Sequence, residues 1–139
     1  MTRELRDFVG RYGLSREIED RHAKQKLTFL GKAEITATID GARYAETGRM
    51  TFPNGPSFQS ERRYLWAADG ARIRVCFEDG RAFHDFDPEQ GGAATEHLCG
   101  DDMYRGGYDF SDWPRWTLTW SVSGPRKDYT SCSMFTPLA

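Results

Sequence analysis

The chain has 139 residues, of which 29% are charged, 38% hydrophobic and 14% aromatic; 19 Lys and Arg against 21 Asp and Glu leave a formal net charge of −2. This length suits one domain, residues 1–139, with a core that needs no metal or disulfide staple. The balanced charge carries no basic block of the kind that grips nucleic acid, and no apolar run approaches the ~18 residues of a membrane-spanning helix.

In chain order, Thr2–Gly10 (TRELRDFVG) is the one stretch that reads as helical, over a turn or two. It is too charged for a signal peptide. Strands are predicted at 11–20, 26–38, 42–52, 57–68, 71–78, 81–87, 93–99, 103–110, 115–123 and 128–136. The turn signals between and within them are Asp40-Gly41, Pro53-Asn54-Gly55-Pro56, Asp69-Gly70, Asp79-Gly80, Gly91-Gly92, Gly106-Gly107 and Gly124-Pro125. Within the segments, polar and apolar residues alternate. ARIRVCF puts Ile73, Val75 and Phe77 on one face, and WTLTWSV does the same for Trp116, Leu118, Trp120 and Val122. YTSCSMF alternates small polar residues with Cys132 and Met134. Cys76, Cys99 and Cys132 are odd in number and far apart, which predicts reduced thiols and a cytoplasmic location. Short antiparallel strands with almost no helix predict an all-β, up-and-down barrel of roughly eight to ten strands with a short N-terminal helical segment. Closure also removes exposed strand edges. A two-sheet sandwich is the alternative.

Six motifs stand in order along the chain. They are F-x-G-x-Y-x-x-x-R-x-I (Phe8–Ile18), Y-x-E-x-G (Tyr44–Gly48), R-x-Y-x-W (Arg62–Trp66), F-x-D-G-R-x-F-H (Phe77–His84), H-x-C-x-x-D-x-Y (His97–Tyr104) and W-x-V-x-G-P-x-K-D-Y (Trp120–Tyr129). This series resembles the DUF6314 family, bacterial and fungal proteins of unknown function, over nearly the whole chain. The resemblance implies a small calycin-like, lipocalin-like β-barrel and brings no activity with it. The opening Phe8–Tyr12 is also similar to the Gly-x-Trp signature of lipocalins, where an aromatic closes the barrel floor and an arginine from the last strand packs over it. By that analogy Tyr12 closes the floor and Arg126 is its cation.

Candidate site residues gather in GRAFHDFD and EHLCGDDMY. The strands carrying His84 and His97 are expected to pair across Gly91-Gly92. Parity then points His84, His97 and Cys99 inward and sends Asp85, Glu96, Phe83 and Leu98 outward. A buried imidazole without a partner costs ~1–3 kcal/mol, and Tyr104 and Trp120 are the candidates to meet it. The expected site is one cavity holding His84, His97 and Tyr104 with Trp120 close by. Arg74 and Lys127 are candidate cations for an anionic ligand. Arg16, Glu46, Arg62 and Arg72 also interrupt strands, and whether they face lumen or solvent stays open. His84, His97 and Cys99 are in addition a chemically reasonable zinc or copper set, and a single histidine could hold haem. The cofactor, if any, is left undetermined.

The expected function is binding of a small molecule, anionic or partly apolar, in a polar and aromatic cavity. The same cavity would serve an isomerase, cyclase or lyase in which His84 or His97 moves a proton with help from Tyr104 or Asp102. A metal- or haem-binding barrel and a solidly packed barrel acting through its surface complete the alternatives. A homo-oligomer stays open. No nucleophile elbow, phosphate loop or dinucleotide fingerprint occurs.

Overall fold

The computed structural model describes residues 3–138. A 3-10 turn at Leu5–Phe8 precedes eleven strands: β1 Gly10–Asp20, β2 Gln25–Thr38, β3 Gly41–Thr51, β4 Ser57–Asp69, β5 Arg72–Phe77, β6 Ala82–Phe86, β7 Gly92–Ala93, β8 His97–Cys99, β9 Asp102–Asp109, β10 Trp116–Ser123 and β11 Asp128–Pro137. All pairings are antiparallel, and the sheet runs β6-β5-β4-β3-β2-β1-β11-β10-β9-β7, with β8 also on β9. The up-and-down barrel read from the turn spacing is therefore the fold. Its seam lies between β6 and the β7–β8 stretch, and the barrel is nearly closed there.

The predicted N-terminal helix contracts to the 3-10 turn, and Thr2 lies outside the described residues. The turn is held by the Glu4 amide donating to the Asp7 carboxylate at 2.7 Å. It does not propagate because Phe8 is drawn under the barrel, fully buried against Trp66, Trp113 and Trp116. This aromatic plug forms the floor. The loops after β2, β4, β6 and β9 lie at this end, and those after β1, β3, β5, β8 and β10 form the mouth.

Even-numbered side chains of β1 and odd-numbered ones of β2 face the lumen: Tyr12, Leu14, Arg16, then Leu27, Phe29, Ala33 and Ile35. β11 inverts the usual hydropathy. Ser131 and Ser133 are buried inward while Cys132 and Met134 are exposed.

Three expectations about the chain path are corrected. The predicted 93–99 strand is two pieces, and it pairs with β9 rather than with β6. Among the described residues, Thr95 alone hydrogen-bonds from this stretch to β6: its amide donates to the Asp85 carbonyl at 3.0 Å, and its hydroxyl accepts from the Asp85 amide at 2.9 Å. The adjacent Ala94 amide turns the other way, to the Gly106 carbonyl at 3.0 Å. Second, Gly106-Gly107 is no turn. It lies inside β9 because the Trp120 ring lies flat against Gly106, where a Cβ would come within 2.7 Å of it. Third, Phe83 does not point outward. The β5–β6 register runs Val75↔His84 and then Cys76↔Ala82, so Phe83 is an unpaired bulge residue. A bulge re-aims one side chain, and Phe83 joins the lumen. No helix among the described residues is long and apolar enough to cross a membrane.

Candidate ligand site

Midway up the lumen sits a buried ion pair. Arg16 Nη1 and Nη2 donate to Glu46 Oε2 and Oε1 at 2.8 and 2.9 Å, and Arg16 Nε donates to Ser133 Oγ at 2.6 Å. The Tyr44 hydroxyl donates to Glu46 Oε1 at 2.6 Å, and the Phe29 ring lies 5.1 Å from the guanidinium carbon. Burial alone would raise the Glu46 carboxyl, but the hydrogen bonds and charge of Arg16, with Tyr44, hold it below its ordinary value. Burial works against Arg16 too, and Glu46 outweighs it, so the guanidinium is held above its ordinary value. The pair is therefore ionised at every physiological pH. Two-point geometry of this kind is what makes a buried pair tolerable.

Beside it, His84 is buried, its Nε2 2.8 Å from the Tyr108 hydroxyl. Burial pushes its pKa down to about 3, the charge of Asp85 opposing and that of His97 adding. His84 is a neutral imidazole here. Its Nδ1, like Nε1 of Trp66 and Trp116, is buried without a hydrogen-bond partner.

Toward the mouth, Phe83 stacks between Phe77 (4.7 Å, 15°) and Trp120 (5.1 Å, 11°). His84 and His97 each pack edge-on against Phe83, with centroids at 4.5 and 5.2 Å. Tyr104 lies 6.0 Å from His97 and 6.4 Å from Trp120. The structure thus brings His84, His97, Tyr104 and Trp120 around one residue, the bulged Phe83. Lys127 stands at the rim, Nζ donating to the Tyr104 hydroxyl at 3.1 Å and 3.5 Å from Asp102.

Beside the ion pair is a cavity of about 50 Å³. Tyr44, Tyr64, Trp66, His84, Trp116, Leu118, Trp120 and Ser131 line it, with Arg62 level with Glu46.

The six sequence motifs can now be placed: each contributes a residue to the floor, the ion pair or the rim. The sequence matches the DUF6314 family, described as a family of unknown function, over residues 8–137. The chain belongs to the DUF6314 family. No curated protein matches it significantly. Among solved structures it is similar to an S-type phycobiliprotein lyase from Guillardia theta, with a TM-score of 0.66 at 8% identity, covering 97% of this chain and 90% of the lyase. At that identity the likeness shows a common fold.

Several expected roles do not survive in this DUF6314 barrel. Arg74 points to the outer wall, 3.6 Å from Asp69, because it alternates with the buried Ile73 and Val75. Cys99 is exposed at the turn into β9, apart from both histidines, and no group of three or more metal-ligating side chains forms among the described residues. The zinc or copper set is therefore not assembled. The cavity is smaller than the roughly 300–1,000 Å³ of drug-sized sites. Arg126 lies in the mouth loop, at the far end from Tyr12, whose hydroxyl donates to the Phe8 carbonyl at 2.6 Å. The floor cation is Arg3, 4.2 Å from the Trp113 ring centroid. Leu98 does point outward and stays uncovered at 63% exposure.

The Arg16–Glu46 pair is the feature that residue-by-residue reading left open. Its signal was parity: Arg16 shares a face with Tyr12 and Leu14, and Glu46 with Ala42, Tyr44 and Met50.

Proposed function

We propose that this barrel binds a small molecule in the mouth-facing half of its lumen. The observation that supports it is the buried polar set, Arg16, Tyr44, Glu46, His84 and Ser131, facing a cavity where a structural barrel would place apolar packing. Buried charge is costly to install and weak as a source of stability. A lumen that keeps it is suited to recognising something. The cavity fits a guest of few heavy atoms. A larger one would have to move the half-buried rim side chains Tyr64 and Trp120. The likeness to a phycobiliprotein lyase agrees with a barrel of this design, although a shared fold names no ligand.

Acid–base catalysis is the weaker reading. A general acid or base works best with a pKa near the operating pH, and His84 sits near 3. Asp102 is engaged with Lys127.

The test is native mass spectrometry on protein purified gently from its own host, beside a Ser131→Leu variant that fills the cavity. The wild type is expected to carry an added mass that the variant lacks. Wild-type protein at the bare chain mass, with no change in tryptophan fluorescence on adding small-metabolite extract, would overturn the reading.

A further inference from the structure

The polar groups around the cavity are unequally used. Its charged acceptor is taken. Both Glu46 oxygens receive hydrogen bonds, and Ser133 Oγ receives one from Arg16. Its donors are not. Trp66 Nε1–H is buried and unpartnered. Trp116 Nε1–H is also unpartnered, but it lies beside the Tyr12 hydroxyl on the floor side.

His84 adds a further donor. Among the described residues, the Tyr108 hydroxyl has His84 Nε2 as its one hydrogen-bond partner. If Nε2 carried the proton, the Tyr108 O–H and the Nδ1 lone pair would both be stranded. If Tyr108 donates to Nε2 instead, one group is left over, Nδ1–H. The second assignment strands fewer buried groups and is the one that hydrogen-bond accounting favours.

Charge points the same way. On β4, Arg62 stands directly across from Glu46, yet Glu46 is committed to Arg16. Neighbouring Glu61 pairs with Arg63, at 3.5 Å. Among the described residues Arg62 forms no ion pair, whereas Lys127 at the rim has Asp102. Arg62 is exposed at the edge of the cavity it lines, so two guanidiniums meet one carboxylate there and one positive charge is left to solvent or a guest.

We propose that the guest is a small carboxylate, with Arg62 as its charge partner and the buried N–H groups as donors to its oxygens. This rests on the ligand-binding reading above. A planar carboxylate suits the guanidinium fork in both charge and shape. A cationic guest would meet like charge, and the one carboxylate of the lining, Glu46, is already committed to Arg16. Water could satisfy the N–H groups and hydrate the exposed Arg62, but it supplies no counter-charge.

Three probes of similar shape separate the possibilities: propanoate, propanamide and propylammonium, with inorganic phosphate as a fourth. Binding is read from the indole N–H signals of the four tryptophans in 1H–15N spectra, assigned by single Trp→Phe changes. Propanoate is expected to bind at least about tenfold more tightly than propanamide, to shift the Trp66 indole signal, and to exceed phosphate. Propylammonium is expected not to bind. Arg62→Gln should reduce propanoate to the level of propanamide and leave propanamide unchanged, and Arg62→Lys should keep part of the preference. Equal binding of propanoate and propanamide, stronger binding of phosphate, or indifference to Arg62→Gln would overturn the carboxylate assignment and leave the binding reading standing. No response to any probe would overturn the assignment, and with it the lumen as a binding site if the native mass is also bare.

Discussion

At the scale of single residues, Arg16 and Glu46 bind each other inside the lumen. Removing one partner strands the other charge, so Glu46→Gln is expected to cost about 3–5 kcal/mol in chemical denaturation. Replacing both, Arg16→Met with Glu46→Leu, should recover most of that loss. A single change that costs no more than the double would show that the pair is not coupled. His84 makes a separate prediction. Its folded pKa of about 3 lies below the ordinary 6.5. Between those values the unfolded chain binds the extra proton. The His84 contribution is therefore complete above about pH 6.5 and is lost as pH falls toward 3, by up to about 1.4 kcal/mol per pH unit. Glu46, with its lowered pKa, loses stability in the same direction but only in the more acidic range where carboxylates titrate. Urea unfolding of His84→Gln between pH 7 and pH 5 should therefore show a flatter pH dependence than wild type. Identical slopes would mean that His84 is not buried as a neutral ring.

At the scale of elements, the mouth depends on irregularities of β6 and β9. Gly106 lets Trp120 lie on the β9 backbone, and the β6 bulge swings Phe83 into a stack with it. Gly106→Ala places a methyl in the Trp120 ring and is expected to destabilise by about 1–3 kcal/mol, with a change in tryptophan emission as the ring moves. A melting temperature and spectrum equal to wild type would refute that contact. The seam is the least secured line of the barrel, since among the described residues Thr95 alone hydrogen-bonds the β7–β8 stretch to β6. Thr95→Val removes one of its two hydrogen bonds, and amide exchange should accelerate at Asp85 and its β6 neighbours before it does in β1 to β3. Uniform acceleration across the sheet would place the weak line elsewhere.

At the scale of the whole molecule, the barrel is plugged at one end by the Phe8 cluster, so solvent reaches the lumen from the rim. Thiol reactivity reports on that shell. Cys99 and Cys132 are exposed and Cys76 is half-buried. Under native, non-reducing conditions, two thiols should react fast with a disulfide reagent and a third slowly. Denatured protein should show three free thiols, and a count of one would mean that a disulfide forms. Arg3 ties the plug down, its Nη1 donating to the Pro88 carbonyl at 2.8 Å while the guanidinium covers Trp113.

The sequence by itself determined the all-β class, the meander order and the inward face of most strands, because strand alternation and turn chemistry are local properties. It also picked out His84, His97, Tyr104 and Trp120, since parity places them on the lumen side. What only the tertiary structure decided falls into two kinds. One is register: the bulge that turns Phe83 inward, and the split of 93–99 between two neighbours, depend on how one strand lies against another, and a single inserted residue changes a face. The other is partnership. Arg16 and Glu46 stand 30 residues apart, and the seat of the floor cation lies at Arg3 instead of Arg126. Local pattern can place a charge on a face, but whether that charge is costly or neutralised depends on what barrel closure sets opposite it.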